Sequence, residues 1–168
     1  SLIHAREWIS GSTCQYIAQQ LVDGYDSDSA IRKFLDRTEV IMVPVVNPDG
    51  YEFSWTRNRL WRKNRKPFRF GTGVDLNRNF AEANWCKTGA SNVPFADTYC
   101  GPNAASEGET QAIQSYYGKY KGRVAAAIDF HSFSQLILRP NGFTPEPAPD
   151  EAHLLAASQA MSSAMRAV

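Results

Sequence analysis

Two seven-residue segments, Val40-Ile41-Met42-Val43-Pro44-Val45-Val46 and Val124-Ala125-Ala126-Ala127-Ile128-Asp129-Phe130, constrain the fold more than any other feature of this chain. Both are nearly continuous apolar runs, too short for a helix of ordinary length and without the alternation of a half-buried strand. They predict strands buried on both faces, and such strands require helices to cover them. The rest of the chain offers those helices. Ile9, Tyr16, Ile17, Ala18, Leu21 and Val22 recur at roughly helical spacing from Trp8 to Asp23, with Gly24 placed as a stop. Ile31, Phe34 and Leu35 predict a short second helix. Ser106 and Glu109 have capping-box spacing ahead of Ile113, Tyr116 and Tyr117, in a helix that ends near Gly118. A last helix follows Asp150 and runs to Val168 without a glycine cap. Asn47-Pro48-Asp49-Gly50 predicts a type I turn closing the first strand. This alternation without repeats points to an α/β domain.

At 168 residues and 43% hydrophobic, the chain suits one globular domain with a real core. A net charge of +1 argues against nucleic acid or an acidic membrane as a partner of the whole surface. No apolar run approaches the roughly 18 residues of a membrane span. The start Ser1-Leu2-Ile3-His4 is neither a signal peptide nor a methionine start, which points to a processed or truncated chain. Cys86 and Cys100 enclose a loop rich in Gly, Ser, Asn and Pro. They are either a disulfide, implying an oxidising compartment, or two buried thiols; Cys14 is left over.

His4 and Glu7 form an H-x-x-E, a spacing that aims an imidazole and a carboxylate at one point. His131 ends the second apolar run, at the carboxyl edge where open α/β sheets bind ligands. His4 follows the stub Leu2-Ile3, so both histidines are expected at one edge. Together with Glu7 they make a three-ligand zinc site with room for water. His153 falls within the last helix and is assigned no chemistry. From Trp55 to Phe70, seven Arg and Lys residues are interleaved with Trp55, Trp61, Phe68 and Phe70. That segment is a nucleic-acid surface, a solvated loop, or a source of arginines turned inward to bind an anion at the metal edge. The absence of a second basic element disfavours the first. Asp75-Leu76-Asn77-Arg78-Asn79, just after Gly71 and Gly73, favours the last, because a guanidinium beside an amide suits a carboxylate.

His4-Ala5-Arg6-Glu7-Trp8-Ile9-Ser10, Asn47-Pro48-Asp49-Gly50-Tyr51, Asn58-Arg59-Leu60-Trp61-Arg62-Lys63, Gly73-Val74-Asp75-Leu76-Asn77-Arg78-Asn79 and His131-Ser132-Phe133-Ser134-Gln135 occur in this order. Together they resemble the successive signature segments of the zinc metallocarboxypeptidases, the pancreatic carboxypeptidase A and B type. The resemblance implies a mixed, largely parallel open β-sheet flanked by helices, incomplete at both ends, with residues 1–168 as a single partial catalytic domain. It implies that His4, Glu7 and His131 bind one zinc ion and that Arg62 polarises the scissile carbonyl. Asn77 and Arg78 would grip the substrate's C-terminal carboxylate, Arg6 would line the channel, and Asp75 would orient His4. Cys86 and Cys100 match a bridge of the carboxypeptidase B-like members. The usual partner of Cys14 falls at Ser1, which leaves Cys14 a free buried thiol. The implied protein is a secreted monomer that acts on peptides with a free C-terminal carboxylate and engages neither nucleic acid nor membrane.

The family's general-base glutamate, its mobile tyrosine and the residue that sets side-chain preference belong to a region after the matched stretch. Glu82, Glu107, Glu109, Glu146 and Glu151 lie outside any family segment and do not substitute for that base. Phe133 stands where the family usually has tyrosine. Leu138 and Gly142 are expected near the side-chain pocket without setting its charge. The expected function is therefore removal of the C-terminal amino acid from peptides, with this chain alone largely inactive. The alternatives are a noncatalytic domain that binds zinc and peptide C-termini, and a zinc deacylase of the same broad fold.

Overall fold

The structure, a computed structural model, describes residues 1–166. They form two compact units, Ser1–Ser132 and a second from Phe133 onward. The first holds helices α1 (Trp8–Gly24), α2 (Ser29–Leu35), α3 (Pro48–Thr56) and α4 (Gly108–Lys119), together with a single 3-10 turn at Leu76–Arg78. The second holds α5 (Glu151–Arg166).

The predicted helices form, with corrections at their starts and faces. In α1 the inward residues of the first turns are small: Ser10, Gly11 and Cys14 are buried. Ile9, Tyr16 and Val22 face outward. A Cβ on Gly11 would collide with the side chain of Leu2, so glycine lets the helix lie against the first residues of the chain. Asp28 caps α2 by accepting from the amides of Ala30 and Ile31 at 2.7 and 3.2 Å. The expected turn at Asn47-Pro48-Asp49-Gly50 instead opens α3. Asn47 caps it by accepting from Gly50 N–H at 3.0 Å, and Pro48 fills a first position that needs no amide donor. The capping box before α4 does not form. Glu107 is the cap residue, Ser106 Oγ donates to its carboxylate at 2.7 Å, and Glu109 turns toward Asn64.

Neither apolar run forms a helix, and no strand forms among the described residues. Residues 40, 41, 43, 124 and 128 are exposed rather than buried. The physical reason is that a two-faced apolar strand needs a ladder partner and two covering layers. Among the described residues the first run meets the start of the chain through a few backbone bonds: Ser1 N donates to Val43 O at 3.0 Å, and Val46 N–H and Asn47 N–H donate to Ser1 O and Leu2 O, both at 3.1 Å. The core of the first unit lies elsewhere. Leu2, Ile3, Ala5, Val74, Leu76, Tyr99 and Cys100 are buried beside His4, Glu7, Ser10, Asn47, Asn64, Asp75, Asn79, Glu107 and Thr110. Among the described residues no buried side-chain polar atom lacks a partner, as a core this polar requires.

Cys86 and Cys100 form a disulfide with their Cα atoms 5.5 Å apart, and Cys14 is a buried free thiol. Some basic residues of 55–70 lie over aromatic rings within and outside that segment. Arg65 lies over the rings of Phe53 and Trp61 at 3.5 and 4.5 Å, and Arg59 over Trp8 at 3.7 Å. In the second unit Arg139 pairs with Glu151 at 2.7 Å, at the start of α5. His153 is exposed on that helix, and the last two residues of its predicted span lie outside the described residues.

Candidate metal centre

A tight turn brings His4 and Glu7 together. Glu7 N–H donates to His4 O at 3.2 Å, and Glu7 is the residue that opens α1, whose Ser10 N–H donates to Glu7 O at 3.0 Å. Ser10 Oγ braces both ends by donating to Glu7 O at 2.7 Å and accepting from Leu2 N–H at 3.2 Å. The Glu7 side chain is thereby free to face the imidazoles. His4 Nδ1 lies 2.8 Å from Glu7 Oε1, and His131 Nδ1 lies 2.9 Å from Oε2, which also accepts from Ser132 N–H at 3.1 Å. The ligand atoms of His4, Glu7 and His131 all fall within 4.8 Å of one another. His4 and Glu7 are buried, whereas a third of the His131 side chain is open to solvent.

The far nitrogen of each imidazole is also held by a carboxylate. His4 Nε2 is 3.0 Å from Asp75 Oδ1, and His131 Nε2 is 2.9 Å from Asp129 Oδ2. Asp75 is fully buried; its other oxygen accepts from Arg62 Nε and Nη2 at 3.1 and 2.8 Å. The third guanidinium nitrogen, Arg62 Nη1, stands 3.7 Å from Glu7 Oε1. Arg62 is itself held by its backbone, whose carbonyl accepts from Ala5 N–H at 3.0 Å.

Burial pulls the Glu7 carboxyl upward, but the hydrogen bonds of His131 and His4 prevail and hold it well below the usual carboxylate range. Burial likewise opposes ionisation of Asp75 and is outweighed by His4 and Arg62, so its value is lowered. The hydrogen bond to Asp129, reinforced by Glu7, pushes His131 up to about 9. The group is thus built to surround positive charge. Two imidazole nitrogens and a carboxylate, each imidazole anchored from behind, are a donor set that fits zinc.

The remaining predicted residues are placed nearby in the chain's loops. Arg78, in the 3-10 turn, donates from Nε to Gly89 O and from Nη1 to Asn77 O, both at 2.9 Å, and makes no ion pair among the described residues. Asn77 N–H is fixed by Asp75 Oδ1 at 3.0 Å. Arg6 is partly exposed, pairs with Asp97 at 3.2 Å and donates to Leu60 O at 3.3 Å. Asp129 and the Ser132 amide were not among the candidates from sequence. The available signal was the position of Asp129, two residues before His131, which in extended chain puts both side chains on one side.

The family profile for zinc carboxypeptidases matches residues 1–168. Carboxypeptidase O of Bos taurus is 40% identical over 167 residues, covering 98% of this chain and 44% of that protein. Carboxypeptidase B of Bos taurus is 44% identical over 143 residues, covering 83% of this chain and 34% of that protein. Among solved structures, thrombin activatable fibrinolysis inhibitor superposes with a TM-score of 0.91 at 34% identity, over 99% of this chain and 43% of that one. The chain therefore spans less than half the length of these relatives. Matched along its whole length, the chain belongs to the zinc carboxypeptidase family.

Proposed function

We propose that this chain is the zinc-binding and carboxylate-binding part of a secreted, monomeric metallocarboxypeptidase that removes the C-terminal amino acid from peptides. The observation that carries the reading is the convergence of His4, Glu7 and His131 within 4.8 Å. When bound, zinc lowers the pKa of a coordinated water to about 7 and polarises a carbonyl as a Lewis acid. Everything else falls to the chain. Asp75 and Asp129 hold the far imidazole nitrogens, so that both Nδ1 atoms point inward. Arg62, fixed on Asp75 by two nitrogens, keeps Nη1 beside the centre, where it would stabilise negative charge developing on the carbonyl oxygen. Arg78, without a carboxylate of its own, is the group suited to the substrate's C-terminus, with Asn77 beside it and Arg6 farther along the channel. The runs 40–46 and 124–130 are proposed to be strands of the mixed, largely parallel sheet in the whole protein, which their exposed apolar residues favour.

The carboxylates around the centre are committed: Glu7 faces both imidazoles, and Asp75 and Asp129 each hold one. Among the described residues none is left beside the centre as a base for water. The chain with one equivalent of zinc is therefore expected to give no more than trace hydrolysis of a blocked dipeptide. Calorimetry should show one zinc per chain, lost in His4→Ala and His131→Ala. Binding of an N-acylated amino acid should be lost in Arg78→Ala with zinc retained. Absence of zinc binding would sink the reading, and vigorous turnover would refute the assignment of every nearby carboxylate.

A further inference from the structure

We propose that Asp129 is a positioning residue for His131, fixing the tautomer that presents Nδ1 to the centre and raising the affinity of the site for zinc. The inference rests on the zinc reading above. Asp129 lies two residues before His131, and its Oδ2 meets His131 Nε2 at 2.9 Å. Its other oxygen faces the amino group of Ser1 at 3.5 Å. On the opposite side of the ring, Nδ1 meets Glu7 Oε2 at 2.9 Å. The arrangement repeats that of His4, where Asp75 Oδ1 meets Nε2 at 3.0 Å and Glu7 Oε1 meets Nδ1 at 2.8 Å. Two imidazoles reached by different parts of the chain thus share one plan: a carboxylate behind, the glutamate in front.

The need for such a partner is greater at His131 than at His4. His4 is buried and confined by its turn, whereas a third of His131 is solvent-exposed and the segment carrying it has no strand to hold it. An exposed imidazole divides between tautomers and rotates unless its rear nitrogen is engaged. Accepting from Nε2–H leaves the Nδ1 lone pair for the metal and makes it more basic.

The test compares wild type, Asp129→Ala and Asp129→Asn, the last of which keeps an acceptor oxygen but loses the charge. Zinc dissociation constants are measured by chelator competition. Histidine tautomers are read by nitrogen-15 NMR of the zinc-free and zinc-loaded chains, at a pH where His131 is neutral. Asp129→Ala is expected to weaken zinc about 10- to 100-fold and to leave His131 as a tautomer mixture, with Asp129→Asn intermediate in affinity and largely restored in tautomer. Zinc affinity within about twofold of wild type, or an unchanged Nε2–H signal in Asp129→Ala, would overturn the proposal. If wild type binds no zinc, the zinc reading falls with the affinity claim. If wild type binds zinc and the variants match it, only the role of Asp129 falls. Should Asp129→Ala fail to fold, Asp129→Asn alone decides, since an affinity equal to wild type would refute any contribution of the charge.

Discussion

Asp75→Ala tests the organisation of the centre most severely, because one buried carboxylate serves three different groups. It accepts from His4 Nε2, from Asn77 N–H and twice from Arg62, at 2.8 to 3.1 Å. Hydrogen bonds to a charged group are worth about 1.5–3 kcal/mol each, but summing four of them would overcount, since they share one ion. The better comparison is loss of one partner from a buried ion pair, which costs about 3–5 kcal/mol because the other charge is stranded. Arg62 is that stranded charge. Such a loss is a large share of a typical domain stability of about 5–15 kcal/mol. Urea denaturation in the presence of a chelator should therefore show Asp75→Ala about 3–5 kcal/mol less stable at neutral pH, with Asp75→Asn recovering part through His4 and Asn77. The sign with pH follows from the lowered value of Asp75. A carboxylate depressed by folding stabilises above its unfolded value, and the gain disappears as pH falls through its folded value. The gap between wild type and Asp75→Ala should thus narrow in acid. A loss at neutral pH within the roughly 0.5 kcal/mol of an ordinary surface substitution would refute the stranded-charge reasoning.

Other consequences are equally open to measurement. Reducing the Cys86–Cys100 bridge opens a loop of sequence separation 14 and should cost about 3 kcal/mol by the loop-entropy relation, read as a lower urea midpoint in reductant. In the zinc-free chain, His131 at about 9 stabilises fully below its ordinary value of 6.5, and that contribution is lost as pH rises through about 9. Chelator-treated wild type should therefore lose stability over that window while His131→Gln does not, and zinc uptake should strengthen with pH as the proton is displaced. Gly73→Ala should destabilise the fold measurably, because φ is +82° and a Cβ would meet the Lys63 Cβ at 2.9 Å; an unchanged midpoint would show that the loop gives way. In a full-length homologous enzyme carrying the equivalent of Arg62→Ala, kcat should fall about 100- to 1,000-fold with zinc content intact.

The candidate centre was legible because its residues sit at fixed offsets from local signals: Glu7 three residues after His4 in a turn, and His131 at the end of an apolar run. The helices were legible in position but not in face. Ile9, Tyr16 and Val22 satisfy a helical period yet point outward in α1, where Ser10, Gly11 and Cys14 meet the core instead. The two expected strands form no ladder among the described residues. A sequence run states what an extended segment needs on either side, not whether the described chain supplies it, and residues 40–46 and 124–130 lack that cover. Asp129 belongs to the run 124–130, and its role depends on the histidine two residues later, whose Nε2 it meets at 2.9 Å.

What holds the centre in place without a sheet is a set of buried asparagines, and their wiring explains why the core is so polar. Asn47 donates to Ile3 O and Lys63 O at 3.2 and 3.1 Å, tying the residue before His4 to the residue after Arg62. Asn64 accepts from Val74 N–H at 2.8 Å, placing the residue before Asp75, and donates to the buried carboxylate of Glu107 at 2.7 Å. Asn79 donates to Cys100 O at 2.8 Å and accepts from Glu107 N–H and Thr110 Oγ1 at 3.1 and 2.7 Å. Asn47 and Asn64 thereby fix residues that border the centre, and Asn79 ties Cys100 of the disulfide to the start of α4. A buried carbonyl left without its donor costs about 1–3 kcal/mol, so Asn47→Ala, which orphans two, should weaken the fold and loosen His4 against Arg62 together. Asn47→Asp keeps the helix cap but loses both donations. If Asn47→Asp proved as stable as wild type, the cap alone would account for Asn47 and the amide wiring would not be what positions the centre.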